Sequence, residues 1–339
     1  MRRVQNPPNP FESDHVEWDA DGEPPPDLLL EVYEEEAKSA LAENDSPDVG
    51  FRWSLNPYRG CYHACAYCYA RSSHQYLGFG AGTDFERKIV VKTNVAARLR
   101  ETFEKKSWRG ETIAFSGNTD CYQPLEARYA LTRTCLELCL EYRNPVGIIT
   151  KSALVKRDVE LLAALAREAR SSVTMSIAWS DDDDARRLEP TVTPPSVRFE
   201  VMRRLHEAGV PVGVGVAPVI PGLNDMQIPA ILERARESGA RHAFMTLIRL
   251  SGQTLPVFDE RLGEAFPQRA DKVRNAIREM RGGEMNDTRF GARMSGSGAR
   301  WKAIEQLFDT HVKRLGYDTR RGEPPPTTFR RPRAQLDLF

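Results

Sequence analysis

Six short β-rich runs, separated by longer connections, constrain this chain more than any other feature of it. The runs are FRWSLNPY (51–58), TIAFSGN (112–118), VGIITKS (146–152), SVTMSIAW (172–179), VPVGVGVAPV (210–219) and AFMTLIRL (243–250). Amphipathic stretches lie between them, at 124–143, 157–170, 196–209 and 226–239. In EAGVPVGV, Gly209 ends a helix and Pro211 opens a strand. Strand and helix in alternation imply a parallel sheet with right-handed crossovers. A complete barrel of this kind has eight units, so six predict an α/β fold built on a partial (βα)6 barrel. An open doubly wound sheet is the alternative.

The flanks read differently. Residues 1–50 form an N-terminal extension, with NPPNPF and GEPPPD as loops and DLLLEVYEEEAKSALAEN (27–44) as one acidic helix. The barrel spans 51–252. Residues 253–320 lose the β texture and read as a helical C-terminal extension interrupted at SGSGAR. Residues 321–339 are proline-rich and basic up to their last five and read as a flexible tail.

Composition is ordinary for a globular protein, at 40% hydrophobic and 28% charged. No apolar run is long enough to span a membrane, and the amino terminus has no apolar stretch to act as a secretory signal, so the expected location is cytoplasmic, with no membrane partner. That compartment keeps thiols reduced and favours metal or catalytic roles for clustered cysteines. Net charge is zero, with 48 basic and 48 acidic residues, so a nucleic-acid partner must be met by a local patch.

Three of the six cysteines, Cys61, Cys65 and Cys68, fall within NPYRGCYHACAYCYAR (56–71). Structural zinc takes four ligands, usually as two pairs, and only His63 and His74 lie near enough in sequence to complete a set. An iron–sulfur cube with three thiolates instead leaves one iron open to a substrate or cofactor. The triplet follows the first predicted strand, which places it at the carboxyl-end face where such barrels bind ligands.

CYHACAYC resembles the radical S-adenosylmethionine (SAM) signature, with Tyr67 as the aromatic residue before the third cysteine. The resemblance covers roughly residues 51–250. It implies a 4Fe–4S cluster on Cys61, Cys65 and Cys68, with SAM chelating the open iron and cleaved by one electron to methionine and a 5′-deoxyadenosyl radical. A flavodoxin or ferredoxin would supply that electron. Arg71 after the triplet and APVIPGLND (217–225) look like the spore-photoproduct-lyase-like branch, often labelled DNA repair photolyase. That likeness assigns SAM contacts to Thr119 and Asp120 in SGNTDCY, to Lys151 in ITKS, and to Ser176 in TMSIAW.

One departure matters. The lyases of that branch carry a hydrogen-donating cysteine three residues before the aspartate that matches Asp120, and here that residue is Gly117. Cys121, with Tyr122 as relay, is the candidate replacement, against the simpler reading of a small buried residue. Cys135 and Cys139, four apart on a helix, read as core. SDDDDARR (180–187) reads as a loop capping a helix rather than a metal site. His206 and His242 carry no assignment.

The final QLDLF resembles the peptide by which bacterial repair and replication proteins dock on the DNA sliding clamp, with Leu336 inside the motif. Leu338 and Phe339 would enter a groove while Gln335 fixes register. The expected function is radical SAM chemistry on damaged pyrimidines in DNA, with Arg59, Arg71 and Arg249 near predicted strand ends for the flanking phosphates. Two alternatives stand beside it. One is radical SAM modification of RNA, a peptide or a metabolite; the other is a non-enzymatic, zinc-stabilised clamp adaptor.

Overall fold

The computed structural model describes residues 30–318 and 326–332, with the backbone of residues 2–4. Its strands are Arg2–Val4 (β1), Glu31–Glu35 (β2), Leu41–Glu43 (β3), Trp53–Leu55 (β4), Tyr58–Arg59 (β5), Lys88–Lys92 (β6), Ile113–Phe115 (β7), Val146–Thr150 (β8), Ser171–Ser176 (β9), Val212–Val219 (β10) and His242–Leu247 (β11). The main sheet has the order β11-β10-β9-β8-β7-β4-β3. Six of these strands pair in parallel, and β3 closes one edge antiparallel to β4. All six predicted runs are therefore strands of one sheet. Doubly wound sheets reverse their strand order at a switch point. Here the order never reverses, so the sheet winds in one direction as a partial (βα)6 barrel.

Helices Thr83–Arg87 (α1), Val95–Glu104 (α2), Glu126–Tyr129 (α3), Leu131–Glu141 (α4), Val159–Glu168 (α5), Asp182–Leu188 (α6), Pro195–Glu207 (α7) and Ile228–Glu237 (α8) fill the connections. Thr254–Ala265 (α9), Ala270–Met280 (α10) and Gly298–Arg314 (α11) make the C-terminal extension helical, as expected. The stretch 124–143 is two helices rather than one. Ala130 takes φ +50° between them, and buried Glu126 accepts from the N–H groups of Thr132 (2.9 Å) and Arg133 (3.2 Å), which gives α4 a cap of its own. Asp181 caps α6 through the N–H groups of Asp183 and Asp184, and Asp182, Asp183 and Asp184 are the first turn of that helix rather than part of a loop.

The acidic helix expected at 27–44 is overturned. Its described part forms β2 and β3, and β2 joins a second sheet of order β1-β2-β6-β5. Val32 pairs with Ile89 and packs with Tyr58, Val91 and Leu125 in a small separate core. A buried β-branched residue in a parallel ladder outweighs the helix preference of the glutamates around it.

The main core lies between sheet and helices, and Cys135 and Cys139 are fully buried in it. Gly213 and Gly215 of β10 sit under His242 and Phe244 of β11, where a Cβ would come within 2.0 and 2.7 Å of the neighbouring rings. No helix among the described residues is long and apolar enough to cross a membrane.

The tail departs from expectation. Residues 326–332 are packed against the barrel. Phe329 meets Phe103 and Tyr142, Arg330 N–H donates to the Tyr142 carbonyl (2.8 Å), and Thr328 donates to the carbonyls of Arg143 and Ala169. Thr327 bonds to the Gly110 carbonyl. Gly110, Arg143 and Ala169 precede β7, β8 and β9, so this strap crosses the amino ends of the strands. QLDLF lies outside the described residues.

Candidate active site

The cysteine loop begins where β5 ends. Gly60 takes φ +77°, and a Cβ there would lie 3.0 Å from His74, Ile89 and the Phe85 carbonyl, so the chain can turn into the loop only as glycine. Cys61 N–H donates to the Phe85 carbonyl (2.9 Å), and Ala66 N–H to that of Leu188 (2.9 Å). Cys61 and Cys65 are buried and Cys68 is partly exposed. Burial raises all three thiols above their usual range, with Asp120 adding to the rise at Cys61, Glu189 adding to it at Cys65, and Arg71 working against it at Cys68.

Arg71 is the centre of the loop's support. It is fully buried and donates to the carbonyls of Cys65 (2.8 and 3.1 Å), Ala64 (3.2 Å), Ala81 (3.1 Å) and Gly82 (3.0 Å). Its charge is met by Glu86 at 2.5 Å. Glu86 also binds Arg261 of α9 (2.7 Å), which donates in turn to the Ala64 carbonyl (3.0 Å). Thr254 on the same helix donates to the Cys68 carbonyl (3.3 Å), and Ser72 to that of Ser251 (3.1 Å). The C-terminal extension therefore holds the cysteine loop from outside. Arg71 is not a phosphate contact: its donors are spent on the cysteine loop, on the Ala81 and Gly82 carbonyls and on Glu86.

The loop after β7 lies alongside. Asp120 is almost fully buried and accepts from Lys151 N–H (2.8 Å), Thr150 Oγ1 (2.7 Å) and Tyr122 N–H (2.9 Å), with His63 Nδ1 at 3.4 Å. Burial alone would raise this carboxyl, but His63 and these donors outweigh it and hold it below its ordinary value. Thr119 donates its hydroxyl to the Tyr58 carbonyl (2.9 Å). Lys151 and Ser176, at the ends of β8 and β9, meet at 2.7 Å, and both donate to the Ala217 carbonyl at the irregular end of β10. Burial pulls the Lys151 ammonium down to about 8.

Sequence reasoning missed the group behind this pair. Fully buried Glu189 accepts from Tyr67 Oη and Arg198 and lies 3.5 Å from Lys151, and Arg198 also donates to the Ser176 carbonyl (2.9 Å). Nothing in RRLEP or PSVRFE marks either residue, because only the fold brings them together. Tyr67, Lys151 and Ser176 thus share one polar cluster, beside which Asp120 anchors the start of the Lys151 loop.

Cys121 and Tyr122 sit elsewhere. Both have no exposed surface, and both belong to the main core. Burial raises the Cys121 thiol well above its usual range, and Tyr122 Oη donates to Asp158 (3.1 Å). A hydrogen donor must reach the product radical, and these buried side chains have the surroundings of packing residues. The residue beside Gly117 is Tyr69, half exposed, whose hydroxyl donates to the Gly117 carbonyl at 2.7 Å. Nothing in the sequence hints at this, since Tyr69 and Gly117 are 48 positions apart.

The thiols can be tested for fit to metal. Among the described residues no three His, Cys, Asp or Glu side chains are set to hold a single ion. His63 is engaged by Asp120, and His74 packs between Phe79 and Phe85, so neither histidine completes a zinc set. A cube spreads its thiolates over separate iron corners, further apart than ligands of one ion. Three thiols on one buttressed loop, with a partly exposed Cys68, fit that larger group. Asn224 braces the far side of the barrel by donating to the carbonyls of Ala178 (2.8 Å) and Pro218 (3.0 Å).

Comparison with known proteins bears on the fold and the family. The chain is 38% identical over 254 residues to an uncharacterized protein of Mycobacterium tuberculosis, covering 74% of each. It is 29% identical over 198 residues to an uncharacterized protein of Methanocaldococcus jannaschii, covering 58% of this chain and 71% of the relative. Among solved structures it resembles spore photoproduct lyase complexed with dinucleoside spore photoproduct, with a TM-score of 0.58 at 15% identity over 84% of this chain and 80% of the lyase. A variant of that lyase with bound AdoMet and the dinucleoside matches at 0.57 and 16%, with the same coverage. At these identities the likeness is one of fold. The Radical SAM superfamily model matches residues 55–235, more than half of the chain and the three cysteines with it, so the protein belongs to the radical SAM superfamily.

Proposed function

We propose that this protein is a radical SAM enzyme acting on damaged pyrimidines in DNA. Membership of the superfamily implies a 4Fe–4S cluster and SAM, which together supply a 5′-deoxyadenosyl radical when bound. Cys61, Cys65 and Cys68 would hold the cluster. Lys151 and Ser176, paired at the strand ends, and Thr119 and Asp120 beside them would bind SAM. The protein's own part is to hold these groups still: Glu86 and its two arginines fix the cysteine loop, and Glu189 with Arg198 fixes Tyr67 and Lys151.

The DNA substrate is carried by one observation, the likeness of fold over 84% of the chain to a lyase whose complex holds a dinucleoside lesion. A lesion of this type stacks poorly and is cheap to extrude from a duplex. Gly117 argues against the spore lesion itself as substrate, since the lyases' thiol is missing there. A flavodoxin or ferredoxin is the proposed reductant, and the C-terminal QLDLF the proposed tether to the sliding clamp.

The test uses anaerobically reconstituted protein with dithionite and SAM. 5′-Deoxyadenosine is quantified by mass spectrometry with and without ultraviolet-irradiated DNA, and the dimer content of that DNA is followed. Loss of one dimer species only when SAM and reductant are both present is the expected result. SAM cleavage with all dimers intact would move the substrate to RNA, a peptide or a metabolite. For the tether, deleting residues 335–339 is expected to abolish clamp binding while SAM cleavage continues.

A further inference from the structure

Three arginines lie near predicted strand ends, and the structure separates them. Arg59 is paired with Glu35 at 3.1 Å and Arg71 with Glu86 at 2.5 Å. Arg249, two residues past the end of β11, has no ion-pair partner among the described residues, and its Nε is buried without a hydrogen-bond acceptor. Its guanidinium lies over the Tyr69 ring, 5.4 Å from the centroid. Tyr69 follows Cys68 directly, so this cation sits beside the cysteine loop at the carboxyl-end face of the barrel.

Its surroundings offer partial relief only: Tyr69 and Asp48 favour its charge, but burial and Arg293 outweigh them. Arg281 and Arg293 are close enough to act on it or be acted on by it, and burial first, then Arg293, disfavour its charged form. The nearby carboxylates are committed. Asp48 accepts from Gly291 N–H (2.6 Å) and from Arg293, and Asp287 binds Arg289 at 2.7 Å. Arg281 spends its terminal nitrogens on the carbonyls of Ile248 (3.0 Å), Ala292 (2.9 Å) and Arg293 (3.0 Å), which ties the 286–297 segment to the end of β11. That segment carries Phe290, 59% exposed beneath Arg293, the second exposed aromatic on this rim after Tyr69.

A half-buried guanidinium without an ion-pair partner is costly unless an anion completes it. Its planar donors match a phosphate, and aromatic side chains beside a cation are how proteins seat the bases that flank one. We propose that Arg249 is a substrate-binding residue that takes a backbone phosphate next to the damaged base, with Tyr69 and Phe290 flanking it. The inference rests on the proposed DNA substrate and assigns that reading its first contact. Arg59 and Arg71 are excluded from the role by their partners.

The experiment measures binding of a fluorescein-labelled, ultraviolet-irradiated single-stranded oligonucleotide of about 12 nucleotides to cluster-loaded protein. Anisotropy is read across about 50–200 mM salt. Arg249→Gln is expected to bind more weakly and to flatten the slope of log affinity against log salt by about 0.7, one phosphate contact on a single strand. Arg249→Lys, which keeps the charge, restores the slope. Arg300→Gln on α11, which breaks an exposed pair with Glu279 of α10, keeps the wild-type slope. Arg249→Gln running parallel to wild type, or Arg300→Gln flattening equally, would overturn the inference while leaving the DNA reading intact. Absence of salt-dependent binding by the wild type would instead remove the DNA reading and this contact with it.

Discussion

Gly117 lies so close to Ser54 that a Cβ added to it would stand 2.8 Å from the Ser54 Cβ and 3.2 Å from its hydroxyl. The position at which the spore-photoproduct-lyase-like branch carries its hydrogen-donating cysteine is therefore more than vacant of a thiol. The room for one is taken by β4. Gly117→Cys is expected to destabilise the protein by about 1–3 kcal/mol through overpacking, measured by urea unfolding. Ser54→Gly in the same chain should recover most of that loss. Equal stability of Gly117→Cys and wild type would show that β4 yields easily and that the missing cysteine has no steric cause.

Glu86 is the shared counter-ion of Arg71 and Arg261, and both arginines hold carbonyls of the cysteine loop. Replacing it with glutamine leaves Arg71 charged and buried without a carboxylate, which costs about 3–5 kcal/mol. Arg261→Ala removes a partly exposed partner and should cost far less. The expected reading is a sharp fall in iron retained per chain for Glu86→Gln, with Arg261→Ala close to wild type. If Glu86→Gln keeps its full iron content and stability, the loop is held by its backbone bonds alone.

These buttresses show where sequence reading reached its end. The alternation of β-rich runs marked the six parallel strands, because four of the five connections between them carry an amphipathic stretch. The cysteine spacing marked the cysteine loop for the same reason: local sequence carries the whole signal. Glu189, Arg198, Glu86 and Arg261 were invisible because each acts on a residue between 9 and 197 positions away. The stretch at 31–35 was misread as helix because its glutamates favour one, while the partner that makes it a strand, Lys88–Lys92, lies more than fifty residues on. The tail was misread as free because Thr327, Thr328 and Phe329 look like loop residues until the barrel floor is present.

Lys151 provides a pH test. Burial lowers its ammonium to about 8, whereas in the unfolded chain it titrates near 10.4, roughly the value of a free lysine. Below pH 8 both states hold the proton and the penalty of burying it is constant. Between about 8 and 10.4 the unfolded chain binds more protons than the native one, so stability rises with pH, by up to about 3 kcal/mol. Lys151→Met lacks this proton. Urea unfolding across that window is expected to show the wild type gaining on Lys151→Met by about that amount. Parallel curves would mean that Lys151 keeps its charge in the fold.

The strap at 326–332 depends on Gly110. That residue takes φ +72°, and a Cβ there would fall 2.1 Å from the Phe329 Cβ. Gly110→Ala therefore meets two penalties at once, about 1–2 kcal/mol for a left-handed alanine and the displacement of Phe329 from Phe103 and Tyr142. Phe329→Ala loses the ring contacts but leaves the bonds of Thr328 and Arg330 to the carbonyls of Arg143 and Tyr142 in place. Tryptic cleavage after Arg330 is thus expected to accelerate at least about tenfold in Gly110→Ala, which a release of about 1.4 kcal/mol suffices to give, and less in Phe329→Ala. Because the strap crosses the amino ends of β7, β8 and β9, it lies on the floor of the barrel, opposite the cysteine loop. Releasing it should leave SAM cleavage unchanged while exposing the site to trypsin. Cleavage at the wild-type rate in both variants would show that the strap is held by something other than this contact.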